Sequence, residues 1–273
     1  MTDIRLSVAL ITRNRPDSLR RCLKSLRSQD VQPYEVIVSD DSEQAFTQEN
    51  RSLAERFGCR YIAGPRRGLY ANRNFAALQC EGSHVRTMDD DHTFPPGHFG
   101  QCITAVHGDP KAIWTTGEAG LIDGKIQARA DTATQLHCPG VGGPVGDPDD
   151  NWAISDGSTI YPREIFDSGL RITENFSYGP SYLEFGAYLY HHGWRSRCIS
   201  GAWVEHHLDP TIPPRNDAIS RLYASLCFNL YFRPDAVLLC RYLLAILVRN
   251  PGLVTRLPGL LSLAHKRWSV AHE

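Results

Sequence analysis

Ser83-His84-Val85-Arg86-Thr87-Met88-Asp89-Asp90-Asp91-His92 is the stretch on which the fold turns. Its first five residues pattern as a strand, and three carboxylates then stand side by side at the strand's end. Like charges packed this closely are unfavourable unless something positive lies between them. A hard divalent cation such as Mg²⁺ is the usual solution, because it takes oxygen ligands and keeps substrate phosphates in its shell. An Asp-x-Asp at a strand end therefore points to a metal that holds a diphosphate. Taken alone, the triplet reads more simply as a solvated acidic turn, or as a cap for a helix starting near Pro95-Pro96. Its context decides.

Upstream, Ser7-Val8-Ala9-Leu10-Ile11-Thr12 reads as a buried strand. Residues 17–28 follow with Leu19, Cys22, Leu23 and Leu26 at helical spacing. Tyr34 to Ser39 is a second strand, ending in Asp40-Asp41-Ser42. A helix is predicted over 48–57, a short strand over 60–62, and a helix over 68–79 entered through a glycine turn. Strands alternating with helices predict a mainly parallel α/β sheet. Ligands of such sheets sit outside the carboxyl ends of the strands. Thr12-Arg13, Asp40-Asp41 and the acidic triplet all fall there. Residues 115–160 are rich in Gly, Pro and Asp with weak periodicity, and the run 138–148 must be a loop of the kind that forms lids or binding loops. From Asn216 onward the pattern turns helical, cut by Pro234, Pro251 and Pro258, so a domain over 1–215 (donor half about 1–115, acceptor half about 116–215) with a helical extension over 216–273 is expected.

The bulk composition excludes several classes. With 42% hydrophobic and 22% charged residues, 273 residues can bury a sizeable core. A net charge of −1 argues against a protein that coats nucleic acid. Eight scattered cysteines without a Cys-x-x-Cys pair support neither a zinc site nor a disulfide scaffold, and they fit a reducing, cytoplasmic setting. The N-terminus lacks the regions of a signal peptide. The longest apolar run, 236–248, contains Arg241 and falls short of the roughly twenty residues that a membrane span needs.

The blocks Ser7 to Arg15, Glu35 to Ser42 and Gly68-Leu69-Tyr70-Ala71-Asn72-Arg73-Asn74, followed by the acidic triplet, resemble a family 2-type glycosyltransferase of the GT-A fold. A later block, Glu174-Asn175-Phe176 through Gly193-Trp194-Arg195, resembles that family's acceptor-side helix, so the likeness covers about residues 5–208. It implies an α/β, Rossmann-like mixed sheet flanked by helices. It also implies an enzyme that moves a sugar from a nucleotide-diphosphate sugar to an acceptor hydroxyl, with inversion, in glycan or cell-surface polysaccharide synthesis. Mn²⁺ or Mg²⁺ would be the cofactor, and a carbohydrate or glycolipid the acceptor.

Residue by residue, the resemblance gives Thr12 and Arg13 to the nucleotide pocket and one of Asp40 and Asp41 to the donor's base. Arg73 would face the diphosphate, where a planar guanidinium suits phosphate oxygens. Asp89 and Asp91 match the pair that positions metal and ribose, and Asp90 can take one of those roles. A histidine of the pair His206-His207 would add a metal ligand; His206 is carried forward, with His207 open. The sequence departs from the family at the general base, where Ser181-Tyr182 occupy the Glu-Asp positions. Glu184, among Tyr182, Leu183 and Phe185, is the expected replacement, since burial raises a carboxyl pKa towards that of a base. Asp156 is the next candidate. Loss of the Glu-Asp pair also admits a degenerate relative that binds nucleotide sugars without turnover. A nucleotidyltransferase is disfavoured, because Thr12-Arg13-Asn14-Arg15-Pro16 has no glycine to cradle a triphosphate.

Residues 241–273 carry five Lys and Arg against one acid, Glu273, with leucines and Trp268 between them. Such helices either lie on an anionic membrane as a peripheral contact, pack on the catalytic domain, or join two copies in a homo-oligomer.

Overall fold

The computed structural model describes residues 4–211 and 217–269. The expected boundary at 215–216 and Glu273 lie outside them. In chain order the elements are β1 (Leu6–Thr12), α1 (Pro16–Arg27), β2 (Glu35–Asp40), α2 (Gln44–Arg56), β3 (Arg60–Ala63), α3 (Leu69–Leu78), β4 (His84–Asp89), β5 (His92–Thr93) and α4 (His98–Gly108). Then come β6 (Ile113–Ile122), β7 (Lys125–Ala130), β8 (Gln135–Leu136), β9 (Gly142–Gly143), β10 (Ile160–Pro162), α5 (Arg163–Asp167), α6 (Ser181–His191) and β11 (Ser196–His207). The chain closes with α7 (Ala218–Cys227), α8 (Ala236–Arg249) and α9 (Leu257–Trp268).

One sheet runs in the order β3-β2-β1-β4-β10-β6-β11-β5, with β7 hydrogen-bonded to β6. β1 is parallel to both β2 and β4 and every residue in it is buried, which is why it reads as an unbroken apolar run. Alternation sends Leu6, Val8 and Leu10 into one core layer with Leu19, Cys22, Leu23 and Leu26 of α1. Ala9 and Ile11 face the other layer, with Tyr70, Ala76 and Ala77 of α3. Each buried Leu or Val contributes about 1.5–3 kcal/mol, so both helices are fixed and the β1 and β4 ends with them.

Residues 115–160, weak in periodicity, nonetheless hold regular structure: β6 and β7 form an antiparallel hairpin about Asp123-Gly124, both at positive φ (50° and 71°). That pair of left-handed residues makes a primed turn, whose twist matches the flanking strands. Helix α2 begins at Gln44, four residues earlier than its apolar spacing suggested. The long loop over 138–148 is borne out apart from the two residues of β9.

Candidate functional site

The three strand ends meet as expected, but neighbouring residues serve different purposes. Asp90 is fully buried; it accepts a 2.5 Å hydrogen bond from the Thr12 hydroxyl and pairs with Arg15 Nη2 at 2.5 Å. Burial raises its carboxyl to about 7, with Arg15 opposing the rise. Arg15 bridges to Asp91 as well, at 2.7 Å. Asp90 and Thr12 therefore clamp the end of β1 to the turn after β4, and neither opens towards a ligand. As folded, both are engaged by the protein itself.

Asp91 lies on the accessible side. The two-residue strand β5 pairs with β11 so that His92 stands opposite His206, with ring centroids 4.9 Å apart. His92 Nδ1 donates to the Gly157 carbonyl at 3.1 Å, and His206 Nδ1 donates to Glu118 Oε1 at 2.8 Å. Both Nε2 atoms are thus turned to Asp91, at 4.0 Å from Oδ1 and 3.7 Å from Oδ2. Asp91 Oδ1 is buried and makes no hydrogen bond among the described residues. Burial works against charge on both groups. The hydrogen bond from His206 with the charges of His92 and Arg15 still holds Asp91 well below the usual carboxylate range, and Asp91 and Glu118 raise His206 to about 10. One carboxylate and two imidazoles within 4.8 Å of one another, each imidazole oriented by an acceptor behind it, form a donor set that fits a divalent metal. His207 is turned aside to Thr93, at 2.8 Å.

Asp89 stands outside that set. Both its oxygens accept from Arg73 Nη2, at 2.7 and 2.9 Å, and Arg73 Nη1 pairs with Asp156. Arg73 is 2% exposed and neutralised by two carboxylates, so it holds Asp89 and Asp156 rather than presenting itself to phosphate. Gly157 closes the arrangement: at φ +73° it lies so near Asp89 that a Cβ would fall 2.5 Å from Oδ2.

Asp40 and Asp41, left undivided by the sequence, separate cleanly. Asp40 accepts from the Ser42 amide at 2.8 Å, Tyr61 at 2.9 Å and Asn50 at 3.1 Å, which saturates it inside the fold. Asp41 lines an open cavity of about 170 Å³ with Arg13, Ser42, Glu43, Arg66 and Gly68. Burial raises its carboxyl, partly offset by the Arg66 amide and the Arg13 charge.

Glu184 is corrected as a base. It is fully buried, and Oε1 accepts from Arg267 Nε at 2.7 Å and Trp268 Nε1 at 2.9 Å, both on α9. An acceptor hydroxyl cannot reach a carboxylate sealed under a helix. Asp156, in contrast, lines a second cavity of about 220 Å³ with Gly140, Val141, Gly142, Tyr178 and Tyr182. Burial raises its carboxyl, against the Arg73 charge.

Arg15, His92 and Glu118 were not assigned roles from sequence. His92 adjoins the triplet and was legible by position; Glu118 depends on β6 pairing with β11, which no local pattern announces.

The sheet and its flanking helices match solved structures of the GT-A fold. The structure of GalNAc-T7 with UDP, GalNAc and Mn²⁺ superposes with a TM-score of 0.66 at 13% identity, covering 85% of this chain and 49% of that one. Residues 1–349 of S. aureus TarS with UDP-GlcNAc give 0.64 at 16% identity, covering 88% and 72%. In sequence, an uncharacterized glycosyltransferase of Bacillus subtilis (strain 168), YwdF, is 27% identical over 96 residues, which span 35% of this chain and 36% of that relative. The model of glycosyl transferase family 2 matches residues 7–170, more than half of the chain, and the chain belongs to that family.

Proposed function

We propose that this glycosyltransferase is inverting and metal-dependent, and that it moves a sugar from a nucleotide-diphosphate sugar to an acceptor hydroxyl. The observation that carries the reading is the convergence of His92 and His206 Nε2 on Asp91 at the strand ends. Asp41 in its open cavity would accept hydrogen bonds from the nucleotide base, with Arg13 and Arg66 adding positive charge. A divalent cation at Asp91, His92 and His206 would offset charge on the leaving diphosphate, and two imidazoles favour Mn²⁺ over Mg²⁺. The UDP and Mn²⁺ of the GalNAc-T7 structure make a uridine nucleotide with Mn²⁺ the first pair to test.

Asp156 takes the base role that Glu184 cannot. Its side chain is 31% exposed, and after burial its charge is the next cause that raises the Tyr182 phenol, the residue standing where the resemblance puts the family's acid. The acceptor hydroxyl would enter the 220 Å³ cavity, give its proton to Asp156 and attack the anomeric carbon opposite the leaving group. Arg73 keeps Asp156 and Asp89 in place through the step. A role in cell-surface polysaccharide or glycolipid synthesis fits this chemistry. The second reading, a nucleotide-sugar binder without turnover, is favoured by Ser181-Tyr182 alone.

The test is a thermal-shift screen of UDP-, GDP-, dTDP- and CMP-sugars with Mn²⁺, Mg²⁺ or EDTA. Metal-dependent stabilisation by one nucleotide class supports the donor site. Stabilisation by none, in a folded sample, removes it. Donor binding without release of nucleotide to any acceptor favours the second reading.

A further inference from the structure

Helices α7 and α9 and the inner side of α8 share one core with α6. Trp268, the aromatic anchor that a membrane-bound tail would have used, is buried and donates to Glu184, so α9 takes the packing alternative. Helix α8 is different. Leu239 is buried, and Tyr242, Leu243, Ile246 and Leu247 pack against the core. Yet Val237, Leu244 and Val248, at i, i+7 and i+11, form a second apolar row on the outside, 70, 70 and 73% exposed. A helix apolar on both sides belongs between two apolar partners, and the described residues supply one of them.

We propose that the outer face of α8 lies on an anionic lipid bilayer. Charge selects this occupant. Arg241 sits in the exposed row itself, four residues after Val237, and Arg249 and Arg256 are exposed further along. From 236 to 269 there is no Asp or Glu. An isologous contact between two copies would set this arginine-bearing face against the same face, which offers no acid between 236 and 269 to answer it. A bilayer of anionic lipid answers all of these charges, while arginine stems extend past the apolar row to the headgroups. With 14 residues α8 is about 21 Å long, too short for the roughly 30 Å hydrocarbon core, and no helix among the described residues is long and apolar enough to span a membrane. It lies in the interface plane. The site behind it is close: Tyr242 of α8 is within electrostatic reach of Asp217, which lines the cavity that holds Asp156.

Vesicle flotation of the full chain tests the docking without donor or metal, so its outcome is independent of the transferase reading. Phosphatidylcholine vesicles containing phosphatidylglycerol should carry the protein up at low salt, and pure phosphatidylcholine vesicles should carry much less. Leu244→Glu with Val248→Glu should weaken binding roughly tenfold or more with an unchanged melting temperature. Arg241→Gln with Arg249→Gln leaves the apolar row intact and should also weaken it roughly tenfold or more, mimicking high salt. Binding to neither vesicle, or binding indifferent to both pairs of substitutions, overturns the proposal. So does a dimer in sedimentation velocity that Leu244→Glu with Val248→Glu dissolves, because a second copy then covers the face.

Discussion

Two arginines in this molecule each sit between elements and hold carboxylates, and they end up with opposite meanings. Arg73 holds Asp89 and Asp156 at the strand ends, where Asp156 still opens into a cavity. Arg267 holds Glu184 under α9, where the carboxylate is fully buried. Sequence alone ranks Glu184 higher, because it follows a family pattern on the acceptor-side helix. Access reverses the order. A general base must meet a proton that arrives from outside, whereas a buried ion pair must exclude everything else.

The contrast breaks first at Asp156. Asp156→Asn should lower turnover by about 10²–10⁴-fold while metal-dependent donor binding survives; turnover within about threefold of the parent would remove Asp156 from the base role. Next is Glu184→Gln, which leaves the largely enclosed Arg267 without its charge partner. It should cost about 3–5 kcal/mol in urea unfolding, with turnover per folded molecule unchanged. An unchanged unfolding midpoint with lost turnover would restore Glu184 to catalysis. A smaller effect is expected at Glu118→Gln, which removes the acceptor that orients His206; metal affinity, read by titration calorimetry, should fall about 10–100-fold. Equal affinity would place the metal elsewhere.

The smallest effect sharpens the idea that burial decides. His98 is buried beside Phe94, Phe99 and Arg86, and burial, then the Arg86 charge, lowers it to about 2. The unfolded chain takes up this proton as pH falls through about 6.5 while the folded chain does not. Stability from neutral His98 is therefore complete above that pH and drains away below it. His98→Phe should flatten the acid limb of the stability profile, and an identical limb would show that other groups set it.

The first hundred residues were legible because their signals are local. The apolar run of β1, the helical spacing of Leu19, Cys22, Leu23 and Leu26, and three acids at a strand end each sit within a dozen residues. Asp123-Gly124 was an available hairpin signal that the glycine-rich surroundings hid. What stayed illegible needed long-range pairing. Glu118 reaches His206 across 88 positions, Asp156 reaches Arg73 across 83, and Arg267 reaches Glu184 across 83. The partners of Thr12, Arg73 and Asp90 were hidden for the same reason: the residue types suit a ligand, and the fold sets Arg15, Asp89 and Asp156 against them.

The turn at Asp156-Gly157 sets a boundary for redesign. One residue of it holds Arg73, the next carries the carbonyl that fixes His92, and no side chain fits between that backbone and Asp89. Grafting a foreign loop over 138–148, or a new segment over 178–183, alters what the cavity admits. A graft that crosses 156–157 breaks the contacts that tie Arg73 and Asp89 to His92. Recombination with relatives has its natural seams on either side of that turn.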